Sequence, residues 1–245
     1  MEIQNLSFAQ RIESILARPF QILFTEPMMF AVTTSQFVYG CLYLLFEAYP
    51  VVFTQGHNLN AGVSGFMFLP LPVGGSIAVA TYIFFFNLSY ERKVKECAPN
   101  PVPLEYRLRV AMTAAPPFAI SFFWFAWTSH SSISTWAPMM SGALLGWSIC
   151  LKFLSQFNYI IDSYLSVAAS ALAANAVVRS LFGAAFPLFA TQMYDRLGPQ
   201  WASTLLGFIA LILMPTLFVL SKYGPTLRIK SKYAPSRPPP SNSPA

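Results

Sequence analysis

MMFAVTTSQFVYGCLYLLFEAYPVVF, Met28 to Phe53, decides the fold. These 26 residues carry a single charge, Glu47. Wound as an α-helix they extend about 39 Å, more than a hydrocarbon core of about 30 Å. Five further apolar stretches follow: Gly62–Phe86, Leu108–Thr128, Trp136–Phe157, Tyr164–Met193 and Ser203–Leu220. The expected fold class is all-α, a polytopic membrane protein with six transmembrane helices. The fourth and fifth stretches are overlong, which implies tilt or extension past the membrane. The expected organisation is a cytoplasmic N-terminal segment at 1–27, a six-span domain at 28–220, and a basic, Pro/Ser-rich, disordered tail at 221–245. Phe8, Ile12, Ile15 and Leu16 share one helical face. The first segment therefore suits either a short amphipathic helix on the membrane surface or a frayed terminus.

Composition agrees with a lipid environment. The 245 residues are 55% hydrophobic and 10% charged, with a mean hydropathy of +0.52. A soluble domain carries roughly a quarter charged residues, and a disordered chain is far less apolar. Twenty-three phenylalanines and five tryptophans suit a lipid-facing surface with interfacial anchors. The net charge of +6 sits in short loops and in the tail, with no basic helix face or aromatic–basic platform, so no nucleic-acid partner is expected. Cys41, Cys97 and Cys150 have neither disulfide nor zinc-ligand spacing and read as small apolar fillers; no metal site is expected. Met1–Leu16 is polar and lacks the pattern of a cleavable signal, so the first span is expected to direct its own insertion. HExxH, GxSxG and phosphate-loop motifs are missing, and His57 and His130 fall in outer loops without carboxylate neighbours. Neither an enzyme nor a cofactor is expected.

Basic residues set the orientation. With both termini cytoplasmic, Arg11, Arg18, Arg92, Lys93, Lys95, Arg107, Arg109, Lys222, Arg228, Lys230, Lys232 and Arg237 face inward. Only Arg196 faces outward, while Lys152 and Arg179 lie within spans. The outer loops, near Gln55–Ala61, Ser129–Thr135 and Asp195–Ala202, are short.

Ionisable groups at membrane depth mark the candidate chemistry. Glu47 lies in the outer third of the first span, and Gln36, Tyr39, Tyr43 and Glu47 recur at intervals of three, four and four, on one helical face. Such a stripe could line a substrate and proton path, its carboxylate and aromatic faces suiting organic cations. The opposing reading makes Glu47 a solvated interfacial residue and the tyrosines part of an aromatic belt. Pro50 could bend the helix there. Asn175, Arg179 and Gly183 share a face of the fifth span, so Arg179 should point at protein or water. It could bind an anionic group, pair with a carboxylate such as Glu47, or pin helices together. Lys152 is expected to snorkel to the headgroups, and Asp162 to start a helix or lock an inner loop. Gly142 and Gly146, and the alanine-rich run from Ala168 to Ala174, mark close helix contacts. Pro70, Pro72, Gly74 and Gly75 should interrupt the second span, a feature of rocking carriers.

Several segments carry a resemblance to a family. They are Arg18–Pro27 (RPFQILFTEP), Leu45–Pro50 (LFEAYP), Asn100–Leu108 (NPVPLEYRL), Asn158–Tyr164 (NYIIDSY), Ala169–Asn175 (ASALAAN), Arg179–Pro187 (RSLFGAAFP) and Leu197–Gly207 (LGPQWASTLLG). With them the chain resembles the C-terminal six-helix half of major facilitator superfamily carriers, most of all the fungal drug:proton antiporters, which include polyamine and multidrug exporters. The resemblance implies one half of a twelve-helix fold that exports small organic or cationic compounds against protons by alternating access. It implies that the first and fourth spans line a central cavity while the second and fifth flank the gap between halves. It also implies a latching inner loop at Tyr90–Lys95. The implied surroundings are membrane lipids, with the plasma membrane as the default location and the vacuolar membrane as the alternative. The first six helices are missing from this pattern. The expectation is therefore a fragment, or a chain that assembles with its missing N-terminal half or with a second chain. The rival expectation is a truncated, non-transporting membrane protein that binds or regulates a full-length carrier.

The topology makes a direct prediction about the sequons at Asn5 and Asn87. Both face the cytosol and should stay unmodified, so treatment with an N-glycosidase should leave the protein's electrophoretic mobility unchanged. A mobility shift lost in an Asn87→Gln variant would invert the orientation.

Overall fold

The computed structural model describes residues 19–35, 37–98, 102–165, 167–229 and 231. Gln36, the predicted surface helix around Phe8–Leu16, and the tail beyond 231 lie outside the described residues. The rest is helical, and six helices are long and apolar enough to cross a membrane. The chain is a multi-pass membrane protein.

Prolines and glycines divide the crossings into shorter helices. The first crossing runs through Pro27–Ser35 and Phe37–Tyr49 into a π-helical turn, Pro50–Gly56. Pro50 has no N–H to donate, and the wider π winding accommodates that loss without ending the helix. The second crossing starts at Ala61–Phe66, where the Asn60 side chain accepts from the Gly62 N–H at 3.2 Å. It breaks at residues 67–69 and restarts at Pro70–Thr81 with Pro70 in the first turn. It then continues through a π turn, Tyr82–Asn87, into Leu88–Cys97. Tyr90–Lys95, expected as a loop, is therefore helix.

A 3-10 turn, Leu104–Arg107, opens the third crossing, Leu108–Thr128, and the fourth is Trp136–Ser163. The fifth begins at Ala168–Ala185. Continuous winding then runs from Pro187 to Ile229, 43 residues, broken at Gly198 with φ 74° and ψ 159°. Unbroken, that helix would measure about 65 Å, twice a bilayer. Gly198 adopts a backbone conformation that side chains forbid, and there the chain passes from the fifth crossing into the sixth. The outer loop expected at Asp195–Ala202 contracts to this one glycine. The two ends also differ from expectation. Ile22 and Glu26 are buried, so the segment before Pro27 packs into the bundle. The sixth helix runs past Leu220 to Ile229.

Two apolar clusters hold the bundle. One joins the first, third, fourth and sixth crossings through Tyr49, Phe53, Phe122, Phe125, Leu145 and Leu206. In it the Tyr49 ring stacks on Phe68 at 4.2 Å and on Phe125 at 5.3 Å. The other surrounds Met28, Leu108, Tyr159 and Tyr164, where the third crossing starts and the fourth ends. Polar contacts gather at that end too. Arg107 Nε pairs with Asp162 at 2.6 Å, Arg228 pairs with Glu105, and Tyr164 donates to Glu26 at 3.3 Å. Ser155 donates to the Arg107 carbonyl at 2.6 Å and accepts from the Ala111 N–H at 3.2 Å. Many hydroxyls elsewhere bond back to their own helix, as Thr81 does to Ile77 and Ser148 to Leu144, which spares them from facing hydrocarbon alone.

Coverage is uneven. In the most apolar 18-residue windows, 56% of residues are buried in the first and third crossings but only 17% in the second and in Ala168–Ala185. Within the second crossing the covered side is a glycine seam against the fourth. A Cβ at Gly74 would overlap the Ala143 carbonyl, and one at Gly146 would overlap that of Leu71. Gly75, its immediate neighbour, meets nothing within 4 Å. Gly74→Ala should thus lower the melting temperature of the purified protein, by an overpacking cost of about 1–3 kcal/mol. Gly75→Ala should leave it unchanged or raise it slightly. Equal effects from the two variants would refute this seam.

Candidate substrate and proton path

The two polar stripes read from the sequence meet. On the first crossing Tyr39 and Tyr43 are half-buried, their ring centroids 6.0 Å apart. On the fifth, the Arg179 guanidinium lies 5.1 Å from the Tyr39 ring centre. One turn further, a Cβ on Gly183 would stand 2.9 Å from the Tyr43 ring. Tyr39 to Tyr43 and Arg179 to Gly183 are both four-residue steps, so the stripes run together as one seam. Phe37 extends it by packing edge-on against Phe182 and Phe186, at 5.1 and 5.0 Å. Gln36, also expected in the stripe, lies outside the described residues. Glu47, two turns beyond Tyr39 and about 12 Å along the helix, is exposed.

Arg179 is held by rings. Its guanidinium carbon is 4.8 Å from the Phe153 centroid and 6.0 Å from that of Phe157, in addition to Tyr39. Among the described residues it forms no ion pair, so the expected alternative of pairing with Glu47 is not realised. Its Nη1 is buried without a hydrogen-bond acceptor. Asn175, one turn earlier, is 0% exposed, and neither its Nδ2 nor its Oδ1 has a partner. An arginine at the centre of a membrane helix costs about 2.5–3.5 kcal/mol on insertion scales. Ring contacts return about 0.5–2 kcal/mol, but they engage the guanidinium face and leave its in-plane N–H donors unmet. Each unmet buried donor costs about 1–3 kcal/mol. The site is therefore electrostatically incomplete.

Lys152 departs from expectation. It does not snorkel: only 5% exposed, it turns into the bundle with Nζ 4.6 Å from the Phe118 ring centre. The fourth crossing presents Ser148, Lys152, Ser155 and Gln156 buried together, and Gln156 Nε2 donates to Ser35 Oγ of the first crossing. A void of about 10 Å³, room for roughly one water, is lined by Ser35, Tyr39, Lys152, Phe153 and Gln156. Lys152 and Arg179 thus share Tyr39 and Phe153 as neighbours. The signal for this polar stripe was in the sequence, as spacings of four, three and one, but a snorkelling lysine hid it.

Other singled-out residues take simpler places. Asp162 sits in the last turn of the fourth crossing and ties it to the start of the third through Arg107. His130 contacts the Ser132 hydroxyl at 2.8 Å in the loop between the third and fourth crossings, and His57 lies beside Phe53. The three cysteines are free. Beside the seam, an apolar cleft of about 430 Å³ is lined by residues that include Thr33, Phe37, Val178 and Phe182.

Relatives were found by sequence. The chain is 39% identical over 219 residues to Efflux pump FUB11 of Gibberella fujikuroi, covering 89% of this chain and 38% of that protein. It is 43% identical over 221 residues to the major facilitator superfamily multidrug transporter mdrA of Aspergillus fumigatus, covering 90% and 36%. An uncharacterized MFS-type transporter of Schizosaccharomyces pombe, C530.15c, is 41% identical over 226 residues, covering 91% and 43%. No family model matches the chain, and no solved structure matches it. The chain spans about two fifths of the length of these relatives. A six-crossing bundle with a polar seam at membrane depth, matched along nine tenths of its length by such proteins, belongs to the major facilitator superfamily of transporters.

Proposed function

We propose that this chain is a carrier module, the C-terminal six-span part of a proton-coupled exporter of small organic compounds that works by alternating access. The observation that carries the reading is the seam of Tyr39, Tyr43, Asn175 and Arg179, polar and charged groups kept at membrane depth where lipid offers them nothing. Thin burial of the second crossing and of Ala168–Ala185 supports a second six-span bundle against those faces. That bundle would be the missing N-terminal half or another chain, and it would close the cavity lined by the first and fourth crossings. The glycine seam and the proline-broken second crossing supply rigid bodies with breaks between them, which rocking requires.

In this reading Glu47 takes and releases the coupling proton. It is exposed on the open side of the bundle, at the outer end of the tyrosine stripe, where the cavity would admit water. Both termini face the cytoplasm, and the plasma membrane is the proposed location. The test joins this chain to a complementary six-span half in sealed vesicles and follows efflux of a fluorescent organic substrate under an imposed pH gradient. Glu47→Gln should abolish gradient-driven efflux while the protein keeps its melting temperature. Undiminished efflux in that variant would remove Glu47 from the mechanism, and no efflux by the unaltered pair would remove the transport reading itself.

A further inference from the structure

Glu47 suits a cation, but the seam also holds a buried lysine, a fully buried amide and an arginine with one buried, unmet nitrogen. We propose that the seam between the first, fourth and fifth crossings receives the anionic group of an amphipathic organic acid, a carboxylate or its equivalent; the inference rests on the carrier reading. Arg179 is the primary receptor. Its guanidinium face is fixed against Tyr39 and Phe153, at 5.1 and 4.8 Å, which leaves its edge free to form the paired N–H bonds that a carboxylate accepts. The buried Nη1 has no acceptor, and Asn175 on the same helical face has neither donor nor acceptor satisfied. A bound oxygen anion would accept from both orphaned nitrogens, Arg179 Nη1 and Asn175 Nδ2.

Lys152 supplies the second positive charge. It is buried beside the same two rings, it touches Phe118, and no carboxylate pairs with it among the described residues. Acidic side chains of the bundle are engaged or placed elsewhere. Asp162 and Glu105 pair at one end of the bundle with Arg107 and Arg228, Glu26 accepts from Tyr164, and Glu47 is exposed at the other end of the stripe. Two cations without a counter-ion, inside a bundle that places its other buried charges against partners, call for an anion from outside the chain. The apolar cleft along Phe37, Val178 and Phe182 belongs to the same pair of helices, and Val178 directly precedes Arg179. In the proposal this cleft takes the hydrocarbon body of the ligand, and the choice of an organic acid over a small inorganic ion rests on that placement together with the carrier reading.

Every group invoked belongs to this chain, so the test uses the purified chain in lipid nanodiscs. Benzoate is the probe, with benzamide and tetraethylammonium as isosteric-neutral and cationic controls, and binding is read by thermal shift and by calorimetry. Benzoate should bind saturably and raise the melting temperature, while the controls do neither. Arg179→Gln should weaken benzoate by about tenfold or more, Arg179→Lys by less, and Lys152→Met by an intermediate amount. The lysine variant keeps the charge and guards against a folding defect. Chloride, tested at the same ionic strength, distinguishes an organic-acid site from a general anion site. The proposal is overturned if benzamide binds as well as benzoate, if chloride competes at equal concentration, if benzoate does not bind, or if Arg179→Gln leaves its affinity unchanged. Efflux of a neutral substrate by the joined halves, with no benzoate binding, would sink this substrate class and leave the carrier reading standing.

Discussion

A guanidinium held within a membrane bundle, ringed by Tyr39, Phe153 and Phe157 and, among the described residues, by no acid, sets the terms for the rest of this structure. Hydrocarbon gives a polar group no substitute for water, so each must be met within its own helix, by a neighbouring helix, or by something outside the chain. Most groups here take the first route, as the serine and threonine hydroxyls bonded to carbonyls three or four residues back show. One end of the bundle takes the second, through Arg107–Asp162, Glu105–Arg228 and the Glu26 cluster. Arg179, Lys152 and Asn175 are met by neither. They line the contact between the first, fourth and fifth crossings.

Close packing lets that contact exist. Gly74 and Gly146 bring the second and fourth crossings to backbone contact, and Gly40 receives the Phe186 ring. Small residues of this kind replace the hydrophobic driving force that is missing between helices in lipid. The fourth crossing is thereby held on one side and presents Lys152 and Gln156 on another. Thin coverage of the second crossing and of Ala168–Ala185 leaves faces of both open.

The architecture was largely legible because lipid makes it so. Six apolar runs become six helices, and Gly142–Gly146 spacing becomes a contact with the second crossing, by requirements that act locally. The seam was half legible. Helical periodicity paired Tyr39 with Tyr43 and Arg179 with Gly183, but it could not say that the two stripes meet, since that depends on how distant crossings pack. Lys152 was misread for a related reason: its place near a span end permits snorkelling, and only the position of Phe118 shows that it turns inward. Element ends were misplaced where one residue decides them. Gly198 breaks the helix through a backbone conformation that composition does not reveal, and at Pro50 the winding changes to π.

The account stands or falls on whether these open faces require a second bundle. Native mass spectrometry of the chain released from lipid nanodiscs measures this directly. The predicted result is a stable complex in which the 27.2 kDa chain is joined by another six-span bundle, a second copy or a complementary half supplied by co-expression. A folded species of one chain alone, unchanged in melting temperature when the complementary half is added, would contradict it.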